Sequence, residues 1–98
     1  MRFAYTLAYV RDVERSVAFY EQAFGLGRRF LDESNQYAEM ETGETTLAFA
    51  SNELGASNLP GGFGRNDPAE PSAGVEIAFL SEDVSASFRT IVGAAKCR

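Results

Sequence analysis

Asp12-Val-Glu-Arg-Ser-Val-Ala-Phe-Tyr-Glu-Gln-Ala-Phe-Gly25 reads as one helix with both ends marked. Asp12 can accept a hydrogen bond from the free N–H groups of the first turn. Gly25 follows the last periodic residue, where a left-handed cap suits a residue without Cβ. Between them Val13, Val17, Tyr20 and Phe24 fall on one apolar face. Before the helix, Phe3 to Val10 is rich in aromatic and β-branched residues and predicts a strand. After it, Arg28-Arg-Phe-Leu opens a second strand.

The same unit recurs 71 positions later. Asp12-Val13 lands on Asp83-Val84, Val17 on Phe88, Tyr20 on Ile91, and the first strand on Val75–Leu80. The shared order is strand, Asp-Val cap, amphipathic helix, the mark of an internal repeat.

Between the two copies the pattern changes twice. Residues 30–34 and 36–42 predict two strands around a turn at Ser34-Asn35, with Tyr37, Glu39 and Glu41 alternating against Ala38, Met40 and Thr42. Gly43-Glu44 makes a second turn, and residues 45–51 a fourth strand with Leu47 and Phe49 on one face. Residues 1–51 thus form one βαβββ module. Residues 52–73 hold four of the nine glycines and all three prolines, without periodicity. They predict a linker or an arm whose Leu59 and Phe63 cover a ligand. The Gly61-Gly-Phe-Gly64 run lacks the Lys-Ser/Thr ending of a phosphate loop. Residues 74–98 open a second module, a strand at Val75–Leu80 and a helix at 84–92, with the remaining strands absent. The fold class is α+β, a curved mixed sheet with a truncated second module, the whole making one domain.

Composition narrows the function. A formal charge of −5 disfavours nucleic acid, and Arg28-Arg29 is the one adjacent basic pair. Cys97 is the single cysteine, so no internal disulfide forms and a cytoplasmic home is expected. No stretch is long and apolar enough for a membrane span. Histidine is absent. Ser16 and Ser81 lack a partner base and read as capping or turn residues.

The order of elements resembles the glyoxalase / bleomycin-resistance / extradiol-dioxygenase superfamily, also called vicinal oxygen chelate. The residues that carry the likeness are Met1–Val10, Asp12, Arg15-Ser16, Phe19-Tyr20, Phe24-Gly25 and Gly74–Val84. The resemblance implies a cup formed by curved sheets of paired modules. In the family's enzymes the cup holds a divalent metal through His, Glu or Gln on the first and last strands of each module. The corresponding positions here carry Tyr5, Ala48 and Glu76. A phenol, with an ordinary pKa of about 10, is a poor ligand for such ions, and alanine offers none. Glu76 is the one retained ligand-type side chain; Glu39 or Glu41 would have to complete any metal set.

No cofactor is therefore expected. The resemblance implies instead a metal-independent binding protein like the bleomycin-resistance members, which sequesters a small molecule in the cleft between modules. Tyr5, Tyr37, Phe49, Phe63 and Glu76 are the expected ligand contacts, suited to an aromatic or cationic guest. Glu76, in an otherwise apolar strand, needs a partner or a wet cavity. A metal-dependent lyase, isomerase or oxygenase with non-standard ligands is the competing expectation. Finally, a lone strand at Val75–Leu80 cannot cover the following helix, and its free edge invites another chain. It is expected to join the sheet of residues 1–51 in the same chain or a partner, in a homodimer burying more than about 1,600 Å².

Overall fold

The computed structural model describes residues 1–96, so Cys97 and Arg98 lie outside the described residues. Four strands and three helices run in the order β1 (Tyr5–Val10), α1 (Val13–Phe24), β2 (Gly27–Leu31), β3 (Tyr37–Glu41), β4 (Thr46–Ser51), α2 (Asn52–Asn58) and α3 (Val84–Lys96). The sheet order is β1-β4-β3-β2. β1 pairs parallel to β4, and the other two ladders are antiparallel. The fold is α+β with a curved open sheet, and βαβββ describes residues 1–51.

α1 has the predicted ends. The Asp12 carboxylate accepts from Arg15 N–H at 3.1 Å, and Gly25 takes φ 69° while its N–H donates to Glu21 O. A residue with Cβ would be strained in that left-handed conformation. Val13 and Val17 are fully buried against Ala38, Met40, Leu47 and Phe49, which defines the helix-covered face of the sheet. Tyr20 lies 4.9 Å from Phe49 between ring centroids, and Phe24 stacks on Phe79 at 4.3 Å. Both rings are half-buried: Tyr20 bridges the sheet at Phe49 and Phe79, while Phe24 meets Phe79.

The turn expected at Ser34-Asn35 forms but takes in residues 32–36, because β2 runs Gly27–Leu31 and ends earlier than the expected strand over 30–34. Asn35 takes φ 60°, a conformation its side chain tolerates, and the Asp32 carboxylate accepts from Ser34 N–H at 3.0 Å and from the Ser34 hydroxyl. These two bonds hold the Asp32 carboxyl below its ordinary pKa.

Three expectations fail beyond residue 51. Asn52–Asn58 is not irregular but helical, because Ser51 Oγ caps it by accepting from Leu54 N–H at 3.1 Å. Val75–Leu80 is not a strand and joins no sheet: among the described residues it has no ladder partner. Val75, Ile77, Phe79 and Leu80 remain exposed there, because β propensity makes a strand only where a neighbouring edge accepts its hydrogen bonds. α3 continues past residue 92 through Gly93 and packs on α1 instead of on a sheet of its own. Its expected apolar face is largely outside: Val84 and Phe88 are exposed, and Ala94 is buried.

Candidate functional site on the open sheet face

Side chains alternate across a strand, so the register assigns each to a face. Ala8, Ala38, Met40, Leu47 and Phe49 share the α1 side. Tyr5, Leu7, Tyr9, Tyr37, Glu39, Thr46, Ala48 and Ala50 fall on the opposite, open side. β4 presents only small residues there. Thr46, Ala48 and Ala50 are buried nonetheless, roofed by longer side chains on the flanking strands.

β2 adds to this face through an irregularity. Gly27 pairs with Glu41 and Arg28 with Met40, but Phe30 pairs with Glu39 and Leu31 with Ala38. Arg29 is the extra residue of a bulge, which re-aims the following side chain. Arg29 and Phe30 consequently both serve the open face. The Arg29 guanidinium donates through Nε to Glu41 Oε2 at 2.8 Å and through Nη1 to Thr46 Oγ1 at 2.7 Å. Nη1 also lies 3.9 Å from Glu39 Oε1. Hydrogen bonding and charge from Arg29 hold the Glu41 carboxyl below its ordinary pKa, and Glu41 in turn raises Arg29. Arg28 turns the other way, to Glu21 on α1 at 3.1 Å.

Glu39 is the second focus. Its Oε2 accepts from the Tyr37 hydroxyl at 2.7 Å. Desolvation, that hydrogen bond and the nearby charge push the Tyr37 phenol up to about 12, with a smaller push from Tyr5. Phe30 lies 6.3 Å from the Tyr37 ring. A half-buried carboxylate between Tyr37 and Phe30 thus forms the chemical centre of the face. Farther along, Tyr9 packs on Phe63 at 4.9 Å, which brings residues 59–66 back onto the sheet.

Of the residues singled out in the sequence, Tyr5 and Tyr37 fall on the same face, level with Thr46 and Ala50 respectively, and Phe63 joins that face beside Tyr9. Phe49 does not. It is 1% exposed in the core under α1, because a large apolar ring on the central strand is worth most on the covered side. Glu76 does not either: it is exposed on the unpaired segment, lining a cleft of about 290 Å³ with Thr6, Thr45 and Leu47. The 71-residue correspondence therefore fails to bring Glu76 to Tyr5. Arg29, Tyr9 and Gly55 were missed. The contrast of Leu47 and Phe49 with Thr46, Ala48 and Ala50 is the one signal that could have told the two faces apart.

The metal set implied by the resemblance does not fit these residues. Ala48 is a buried floor residue without a donor, Glu76 is off the face, and Arg29 places a cation between Glu39 and Glu41. Among the described residues no three His, Cys, Asp or Glu side chains gather as a metal ion requires. A larger cleft of about 720 Å³ lies outside the open face, lined by Phe24, Phe79, Leu80, Val84, Phe88 and Ile91 among others.

The family model of the Glyoxalase/Bleomycin resistance protein/Dioxygenase superfamily matches residues 2–94. No curated protein matches the chain. Among solved structures, a glyoxalase-related enzyme from Fulvimarina pelagi is similar at 16% identity and a TM-score of 0.71, over 96% of this chain and 65% of that one. A gene product from Arabidopsis thaliana is 21% identical, with a TM-score of 0.69 over 96% of this chain and 71% of its own. A lactoylglutathione lyase from Agrobacterium tumefaciens is 20% identical, with a TM-score of 0.58 over 97% and 70%. At such identities the likeness is one of fold. The chain spans less than two thirds of the Fulvimarina protein's length.

Proposed function

This chain belongs to the glyoxalase/bleomycin-resistance/dioxygenase superfamily, and we propose that it is a metal-independent small-molecule binding member that takes a planar organic cation on the open sheet face. The observation that carries the proposal is the Glu39 carboxylate, hydrogen-bonded to Tyr37 and paired across the ladder with Phe30, on the face that also carries Tyr5. Glu39 and Glu41 together carry two negative charges against one on Arg29, which leaves the cluster one charge short of neutrality. A flat monocation restores the balance and stacks on the rings. The donor set supports metal independence: the chain has no histidine, and the ligand positions that the resemblance implies hold Tyr5, Ala48 and the remote Glu76.

Calorimetric titration with 1-methylquinolinium tests this. Binding should be measurable, and Glu39→Gln should weaken it about tenfold, the loss of one charge-assisted contact. Equal affinity of the two proteins would refute the site. More than about half an equivalent of tightly held metal in untagged protein, lost on Glu76→Ala, would favour the metal-dependent enzyme instead.

We further propose that the protein acts as a cytoplasmic homodimer. A single cysteine suits a reducing compartment. Among the described residues no helix is long and apolar enough to cross a membrane. Support for the dimer comes from the chain's own complementary surfaces. β1 is an edge strand, and Val75–Leu80 is a largely apolar segment whose backbone has no ladder partner among the described residues. A second copy supplies each with the other.

A further inference from the structure

Residues 59–66 leave α2, cross open space, and return to the sheet at one strand residue, Tyr9. Phe63 is half-buried while its neighbours Gly61, Gly62, Gly64 and Arg65 are exposed. It packs on Tyr9, the open-face residue of β1 that lies across β4 from Tyr37, both being paired with Ala50. The third wall of its seat is Gly55 of α2. A Cβ there would stand 2.8 Å from Tyr9 Cδ1 and 2.9 Å from Phe63 Cε1 and Cζ, closer than such atoms approach. The seat exists only because residue 55 has no side chain.

Little else holds the segment. Asn66 Nδ2 donates to Tyr9 O at 3.0 Å, on the same strand residue that Phe63 covers. At the near end Leu59 N–H donates to Gly55 O and Gly62 N–H to Leu59 O, each at 2.8 Å. Gly62 takes φ 84°, and Gly61, Gly62 and Gly64 have no atoms within 4 Å of where a Cβ would be. The segment is therefore anchored at two points and flanked by residues that change backbone conformation at low cost.

We propose that residues 59–66 are a strap that opens and closes one end of the open sheet face, with Phe63 as its latch and Gly55 as the positioning residue. The strap's role toward a ligand rests on the cation-binding reading above; its opening does not. Closed, it extends the aromatic wall of Tyr5 and Tyr37 through Tyr9 to Phe63 and narrows the escape of a bound molecule. Open, it exposes the Tyr9 end for entry.

The chain carries its own reporter, because Arg65 sits exposed on the strap and tryptic cleavage after it requires a locally free backbone. Cleavage after Arg15, inside α1, reports the rest of the fold. Phe63→Ala and Gly55→Ala should each speed cleavage after Arg65 by about fivefold or more, with cleavage after Arg15 unchanged, since proteolysis tracks the open population. Equal rates at Arg65 in wild type and Phe63→Ala would overturn the strap. Acceleration at both sites would overturn it as well, by showing that the segment opens only with global unfolding. Near-saturating 1-methylquinolinium should slow cleavage at Arg65 about fivefold in wild type and leave Phe63→Ala unaffected. Calorimetric binding without that protection would refute the gating role while sparing the binding site. Absence of binding would refute the cation reading, and the ligand-free rates would still decide whether the strap opens.

Discussion

Tyr37 shows how one side chain's setting turns into a measurable property. Its phenol is pushed from 10.0 to about 12, first by desolvation and then by donating to Glu39. A raised pKa means that the folded state holds its proton more tightly than the unfolded chain. The associated stability is complete below pH 10 and is lost as pH rises towards 12. Ultraviolet titration should therefore find one tyrosine ionising near the top of that window, and Tyr37→Phe should abolish both that step and the matching fall in melting temperature. Glu39→Gln should lower the step only partway, because burial remains when the charge is gone. Arg29 acts oppositely on Glu41, whose depressed pKa makes its contribution present at neutral pH and lost as acid protonates it. These pairs were only partly legible in the sequence. Glu39, Glu41 and Tyr37 sit on one face by simple alternation, but Arg29 reaches them only through the bulge, and nothing in Arg28-Arg29 says which arginine faces which way.

Among the elements, α1 is the best-specified piece, since its cap, its terminal glycine and its apolar spacing all agree. Asp12→Ala should cost about 1 kcal/mol through the lost cap. Met40, with no exposure at all on β3, should cost about 2–5 kcal/mol as Met40→Ala. Tyr20→Ala and Phe24→Ala should fall below the roughly 3–5 kcal/mol of fully buried aromatics, because each ring is half-buried. Chemical denaturation of the four variants checks the order. Val75–Leu80 is the contrary case. Its residues have strand character as strong as that of β1, yet it stays unpaired, since a strand is a property of two edges and not of one sequence. α2 is hard to see in the sequence because its cap, Ser51, is also the last residue of β4, and its 7 residues hold one large apolar side chain, Leu54, too few for an amphipathic period.

For the molecule as a whole, the uneven distribution of apolar surface matters most. The sheet and α1 form a closed core, whereas Val75, Leu80, Val84 and Phe88 all stand more than half exposed. Burying them in a second copy removes a patch that an isolated chain would leave to water. Size-exclusion light scattering at micromolar concentration should give twice the chain's mass, and Leu80→Glu with Phe88→Glu should return it to the single-chain value. A cooperative, stable monomer for the unaltered protein would disprove the dimer. The Glu39 centre lies on the open sheet face, while Leu80, Val84 and Phe88 line a cleft beside Phe24 of α1.

Local chemistry was enough to specify the βαβββ order, the ends of α1, the turn at Asn35 and the alternation along β3 and β4, because each depends on residues within a few positions of one another. Long-range packing settled the rest. It put Phe49 under α1 and left Glu76 outside, since alternation defines two faces without saying which the helix will cover. It aimed Arg29 through a bulge, withheld an edge from Val75–Leu80, and brought Phe63 onto Tyr9 across a gap at Gly55. Each of these needs atoms far apart in the chain to meet, and the free energy that decides between them exists only once they have met.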